Sequence, residues 1–253
     1  MPEFENLTVS ASGATGRITL ARAARLNALS PGTLRELAQA ARWLDEQPGL
    51  KAVVVGGEGR AFCAGFDIDD AKTPVDAEVV DLGRRMAEAM DAIRAVTIAR
   101  IHGHCVGGGL VLAAACDLRV AAASTRFSIP ELDLGIPLAW GGIPRLVREL
   151  GPAITKELVM TCRPFTADEA RALGFLNRVV PDEALDEAVQ WFVDRLVTKS
   201  AFTLLATKRQ VNAVAEESGA TREAFRDADA TLRAMRDDES AQARERYLKA
   251  RGR

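Results

Sequence analysis

Apolar positions along the chain change their period several times, and each change marks an element. Leu7-Thr-Val-Ser and Arg17-Ile-Thr-Leu alternate around Gly13 and Gly16, which predicts a hairpin. Ser30-Pro31 places a hydroxyl at an N-cap and proline at the first helical position, opening an amphipathic helix that Pro48-Gly49 stops near Gln47. Lys51 to Val55 is a short β-branched run closed by Gly56-Gly57-Glu58-Gly59, the character of a strand buried on both faces. A second long helix is predicted within Val75 to Ala95, then a strand from Thr97 to Ile101, a helix from Gly108 to Cys116 and a strand from Leu118 to Ala122. This alternation runs to about Val180 and predicts an α/β core. Strand patterns then stop: Ala184 to Thr198, Ser200 to Ala215, Thr221 to Ala234 and Asp238 to Arg251 all read as helix. The expected organisation is a core over residues 1–195 and a helical assembly region over 196–253.

Composition narrows the function classes. The 253 residues are 48% hydrophobic, and 44 are alanine, which favours closely packed helices. Against 35 acidic residues stand 33 basic ones, with no long run of either sign, so neither a nucleic-acid surface nor a polybasic membrane anchor is expected. The longest low-charge stretch, Ile101 to Cys116, is broken by two histidines and four glycines and falls short of the roughly 20 apolar residues of a membrane helix. Met1-Pro-Glu-Phe-Glu-Asn lacks the basic and apolar segments of a signal peptide, so a soluble cytoplasmic protein with reduced thiols is expected. Two histidines, His102 and His104, and four cysteines without metal-ligand spacing exclude zinc fingers, His-Glu-x-x-His proteases and disulfide scaffolds. Acid-base chemistry falls to carboxylates.

Three glycine clusters sit at strand ends. Gly56 to Gly59 is not a dinucleotide fingerprint, because Phe62 stands where the third glycine belongs. Ala61-Phe-Cys-Ala-Gly-Phe-Asp67 leaves main-chain N–H groups unshielded, and Gly107-Gly-Gly109 opens a helix whose first amides can face an anion. Singly, each is more often a tight turn; together, two exposed amides on neighbouring loops could form an oxyanion hole. His102 and His104 read as structural hydrogen-bonding residues, Cys63 and Cys105 as small buried thiols, Asp67 as a cap for the following helix and Asp117 as a helix terminator.

Five segments in order carry a resemblance over nearly the whole chain. They are Arg25-Leu-Asn-Ala-Leu, Gly59-Arg-Ala-Phe-Cys-Ala-Gly-Phe-Asp67, His102-Gly-His-Cys-Val-Gly-Gly-Gly109, Phe127-Ser-Ile-Pro-Glu131-Leu-Asp-Leu-Gly135 and Tyr247-Leu-Lys-Ala-Arg251. The chain resembles the crotonase superfamily, also called the enoyl-CoA hydratase/isomerase family. The resemblance implies a spiral of β-β-α units with a helical C-terminal trimerisation region, assembled as a homotrimer or a dimer of trimers. It implies an acyl-CoA thioester as substrate, no metal, and no cofactor beyond the coenzyme A that enters with the substrate. The N–H groups of Ala64 and Gly108 would form the oxyanion hole, with Glu131 as general acid or base. Arg22, Arg25, Lys249 and Arg251 would meet the CoA, while Ala61, Gly65, Asp67, Ile68, Gly107, Val111, Leu138 and Trp140 would surround the thioester and acyl group.

Two departures from the family pattern bear on the reaction. Hydratases of the family carry a second glutamate two residues past the glycine triplet, where this chain has Val111, and their glycine-rich stretch after Ile-Pro becomes Leu138-Ala139-Trp140. Adding water suits two carboxylates, whereas one suffices to move a proton between carbons of a 3-enoyl thioester. The residues therefore lean towards a Δ3,Δ2-enoyl-CoA isomerase. A 2-enoyl-CoA hydratase using Glu131 alone and a non-catalytic CoA-ester-binding relative are the alternatives. Asp69, Asp70, Glu78 and Asp81 lie in the family's variable segment, where one could supply the missing acid. Ala139 lacks the aspartate of the family's dienoyl-CoA isomerases and aroyl-CoA dehalogenases.

Overall fold

In the computed structural model of the chain, residues 2–68, 77–218, 221, 224 and 227–252 are described. Strands β1 (Leu7–Ser12) and β2 (Thr15–Leu20) form the expected antiparallel hairpin. β2 then pairs in parallel with β3 (Ala52–Gly57), followed across the sheet by β4 (Val96–Ile101), β6 (Leu118–Ala122) and β9 (Arg178–Val180). The β-branched run of β3 is buried on both faces because the sheet is covered twice. Val53 and Val55 join the main core with Leu34, Leu37 and Leu44 of α1 (Pro31–Asp45) and Met86 and Met90 of α2 (Ala77–Ala92). Ala52 and Val54 face the other way, against Leu185, Val189 and Val193 of α6 (Leu185–Val197). The Ser30 cap is present, its Oγ accepting the Thr33 N–H at 3.1 Å.

A second, smaller sheet escapes the hydrophobic pattern. β5 (His104–Val106), β7 (Arg126–Ser128) and β8 (Phe165–Thr166) form it, and no strand exceeds three residues, too short for an alternating signal. It matters because β5 leads into α3 (Gly108–Ala114), every residue of which is buried, and β7 leads to Glu131. Isolated parallel bridges between Cys63 and Cys105 and between Leu29 and Phe66 draw the loop after β3 alongside that entry.

The rest is helical. α4 (Gly142–Thr161) breaks at Gly151, before Pro152, and α5 (Ala167–Ala172) is capped by Thr166. Past α6 come α7 (Ala201–Ser218), α8 (Asp227–Arg236) and α9 (Asp238–Ala250). Of the helix predicted from Thr221 to Ala234, α8 is described from Asp227, and Arg222, Glu223, Phe225 and Arg226 lie outside the described residues. Asp117 does more than end a helix. Its Oδ2 accepts from Thr97 N at 2.7 Å, Thr97 Oγ1 at 2.9 Å and Lys208 Nζ at 2.7 Å, which ties α7 to β4. Among the described residues no helix is long and apolar enough to cross a membrane.

Candidate active site

A cavity of ≈ 290 Å³ lies where the loop after β3, the start of α3, the Glu131 loop and helices α8 and α9 converge. Its wall is mostly apolar, so a polar group in it is conspicuous. Glu131 is one such group. Its backbone follows β7 through Ile129-Pro130, and the loop closes on itself where the Ile136 N–H donates to Glu131 O at 3.0 Å. The carboxyl rests directly over Gly107: a Cβ on that glycine would lie 2.3 Å from Glu131 Oε1. Gly107 has φ 49°, a conformation natural to glycine, so it supplies both the turn into α3 and the room for the carboxyl. Oε2 is buried without a hydrogen-bond partner among the described residues.

Burial, with no countercharge among the described residues, pushes the Glu131 carboxyl up to about 7, opposed by its own backbone N–H. This has a sign for stability. A carboxyl raised in the folded state binds a proton that the unfolded chain has already lost, so stability falls as pH rises from 4.5 to about 7 and levels off above. At about 1.4 kcal/mol per pH unit the loss is about 3 kcal/mol. Glu131→Gln cannot ionise. Its unfolding free energy relative to the parent should climb by that amount across this window in urea titrations, and a difference independent of pH would contradict the burial of the charge.

Two amides face the same cavity. Gly108 and Phe66 both line it, and neither N–H has an acceptor among the described residues. The Gly108 N–H is free because the first amides of a helix have no partner within it. The Phe66 N–H is free because its bridge with Leu29 uses only the flanking bonds, Leu29 N to Gly65 O at 2.7 Å and Asp67 N to Leu29 O at 3.1 Å. A Cβ on Gly65 would lie 3.6 Å from Gly108 N, so the two loops run side by side. Ala64, expected to supply one donor, does not: its N–H is spent on Leu26 O at 3.0 Å, and it does not line the cavity.

The residues expected around the acyl group divide accordingly. Asp67, Ile68, Val111, Leu138 and Trp140 line the cavity; Ala61, Gly65 and Gly107 support it from behind. Ala61 O accepts from Asn27 Nδ2 at 2.8 Å. Val111 Cγ2 and Leu138 Cδ2 would both lie 2.9 Å from a Cβ on Gly142, so the place of a second glutamate is tightly packed and apolar. Trp140 fills the adjacent space. Its indole lies against Gly83 of α2 and Gly108, edge-on to Phe66 at 6.0 Å between ring centroids. Its φ of 64° is held by Arg145, a residue 1% exposed and paired with Asp91, whose Nη1 donates to Trp140 O at 3.3 Å and Gly141 O at 3.1 Å.

Asp67 is the other carboxylate on the cavity wall among the described residues, and it is occupied. Arg22 Nη2 meets Oδ2 at 2.9 Å and Arg25 Nη2 meets Oδ1 at 3.0 Å. Burial would raise its pKa, but the two guanidinium hydrogen bonds and charges outweigh it and hold the group below its ordinary value. The cap expected of Asp67 falls on residues 69–76, which lie outside the described residues. Arg22 and Arg25 thus stand at the cavity edge through Asp67. Lys249 pairs with Glu245 at 2.6 Å and Arg251 covers the Tyr247 ring, both outside the cavity.

Of the variable-segment acids, Asp69 and Asp70 lie outside the described residues. Asp81 is taken by Arg84 and Arg85, and neither it nor Glu78 lines the cavity. His102 is structural. Its Nε2 lies 2.9 Å from Gly59 O and its Nδ1 3.2 Å from Arg100, and burial lowers its pKa. Burial pushes the Cys63 thiol up to about 12 and Cys105 well above its ordinary value, so neither is a nucleophile. Among the described residues no group of His, Cys, Asp and Glu could hold a metal ion. The pattern also missed Thr231, Met235, Arg244 and Leu248, which bring α8 and α9 onto the cavity wall. Their spacing of four on each helix was the available signal, but it did not say what the face would meet.

A parallel sheet feeding a small second sheet, with unspent amides and a buried glutamate at their junction, defines a crotonase-type fold. Comparison narrows this. The family described as enoyl-CoA hydratase/isomerase matches residues 10–252, and the chain belongs to that family. It is 35% identical over 217 residues to a probable enoyl-CoA hydratase of Mycobacterium bovis, covering 85% of this chain and 84% of that one. It is 31% identical to a crotonyl-CoA hydratase of Syntrophomonas wolfei, covering 83% and 82%. Among solved structures, an enoyl-CoA hydratase/isomerase from Xanthobacter autotrophicus matches with a TM-score of 0.84 at 27% identity, covering 92% of this chain and 88% of that one. An enoyl-CoA hydratase from Mycobacterium avium subsp. paratuberculosis matches with a TM-score of 0.89, covering 97% and 100%, and at 23% identity supports the fold alone.

Proposed function

We propose that the protein binds an enoyl-CoA thioester with its carbonyl oxygen between the N–H groups of Phe66 and Gly108, and that Glu131 moves the proton. The observation that carries this reading is the pairing of one carboxyl, free of any ion pair among the described residues, with two unspent amides on one cavity. The α-proton of a thioester is only weakly acidic, so charge must be stabilised as it reaches the oxygen; losing one such donor costs about 3 kcal/mol. These donors are main-chain groups and need no metal or redox cofactor. Coenzyme A enters with the substrate, its phosphates near Arg22 and Arg25. In the proposed reaction ionised Glu131 takes a proton from C2 of a 3-enoyl thioester, the electrons pass to the oxygen as the dienolate forms, and the same carboxyl returns the proton to C4. Val111, Leu138 and Trp140 support this over hydration, because they fill with apolar atoms the space a second acid and its water would need.

The second reading is 2-enoyl-CoA hydration by Glu131 alone, favoured by the names of the relatives in M. bovis and S. wolfei. Supplying 2-enoyl- and 3-enoyl-CoA esters of several lengths and identifying the products separates the two. Isomerisation predicts 2-enoyl-CoA from the 3-enoyl ester with little 3-hydroxyacyl-CoA; rapid hydroxyacyl formation from the 2-enoyl ester would favour hydration, and inertness towards both would favour a binding role. As part of this reading the chain assembles as a trimer or dimer of trimers, which would cover the exposed apolar side chains Phe202, Val211 and Val214 of α7.

A further inference from the structure

The cavity wall holds a cation that the proton shift does not use. Arg244 of α9 lines it together with Thr231 of α8. Arg244 Nε donates to Leu134 O at 3.2 Å, fixing the guanidinium against the loop that carries Glu131. Among the described residues its Nη2 is buried with no hydrogen-bond partner, and so is Thr231 Oγ1, on a side chain only 6% exposed. A guanidinium stays protonated and offers donors only, so what it lacks is an acceptor. Glu131 is not that acceptor: burial raises its carboxyl, and only its own backbone N–H opposes this. The neighbouring wall, Leu134, Ile136, Met235 and Leu248, is apolar. A site for a plain alkyl chain is weakened by a buried charge without a partner. Two orphaned hydroxyl and guanidinium donors on one apolar wall fit instead an anionic oxygen group that arrives with the ligand, since charge-assisted bonds to guanidinium are strong and directional.

We propose that the acyl group carries a carboxylate at the end remote from the thioester, held by Arg244 Nη2 and Thr231 Oγ1. The substrate class is then an ω-carboxyenoyl-CoA rather than a simple fatty enoyl-CoA. This inference rests on the acyl-CoA reading above and names the substrate of the same site.

Calorimetric titration with unreactive saturated thioesters tests it without requiring turnover. An ω-carboxyacyl-CoA is compared with the neutral acyl-CoA of equal chain length. The unmodified protein should bind the carboxylated ester about ten- to a hundredfold more tightly, the worth of a charge-assisted hydrogen bond. Arg244→Met, which keeps the volume, should bring that ratio close to one, and Thr231→Val should lower it severalfold. A ratio near one in the unmodified protein, or one that Arg244→Met leaves intact, would overturn the proposal. Should Arg244→Met fail to fold, the unmodified protein and Thr231→Val decide the question alone. A large ratio with no turnover of any enoyl ester would preserve this inference and sink the catalytic reading; failure to bind either thioester would sink both.

Discussion

Glu131→Gln should lower turnover of the preferred enoyl-CoA ester by about a hundredfold to ten-thousandfold, the usual worth of a general acid or base, while leaving the dissociation constant for the CoA ester nearly unchanged. The glutamine keeps the side chain's shape over Gly107 and loses only the ability to carry the proton. The parent enzyme should show the cause in its pH profile. In the proposed reaction Glu131 takes the first proton only when ionised, and burial places its carboxyl at about 7. kcat/KM should therefore rise as pH increases through about 7 and flatten above it, and the variant's residual activity should lack this rise. Asp67 cannot stand in, because Arg22 and Arg25 already hold its carboxylate. Steady-state kinetics across the pH range together with direct titration of the ester separate lost chemistry from lost binding; undiminished turnover in Glu131→Gln would remove the residue from the reaction.

Gly107→Ala should be almost as damaging, for a geometric reason. The new methyl would sit 2.3 Å from Glu131 Oε1 and 3.2 Å from Cδ, closer than nonbonded atoms tolerate, at a φ of 49° that alanine adopts only with strain. Either the carboxyl swings away or the turn into α3 shifts and takes the Gly108 amide with it. A displacement of about 1 Å at such a site costs about a hundredfold in rate. The variant should lose kcat by at least that factor, with a smaller stability loss in thermal unfolding. A variant with normal kcat would mean that Glu131 is not held where the structure places it.

Much of the fold is legible in the chain because its signals are local. Ser30-Pro31 specifies the start of α1 within two residues, the β-branched run at Val53 to Val55 marks a strand covered on both faces, and Gly13 turns the first hairpin. The small sheet is not legible in this way, since three-residue strands such as β5 show no period of their own and are defined by their partners. The site shows the same division. Gly107 and Glu131 stand out by their motifs. Whether the donor beside Gly108 is Ala64 or Phe66, however, depends on which amide is already taken, and Leu26, far away in sequence, takes that of Ala64. Arg244 lies on a helix whose polar composition reads as solvent-exposed, and only packing against the Glu131 loop turns one face of it into cavity wall.

In the proposed reaction Glu131 alone carries the proton between the carbons of a bound enoyl thioester. Nuclear magnetic resonance of a 3-enoyl-CoA ester incubated with the protein in deuterium oxide tests it most directly. The expected product is 2-enoyl-CoA, with deuterium appearing at C2 or C4 whenever the carboxyl exchanges its proton with solvent before returning it, and Glu131→Gln should slow isomerisation and label uptake together by about a hundredfold or more. Isomerisation and labelling at parental rates in Glu131→Gln would contradict it.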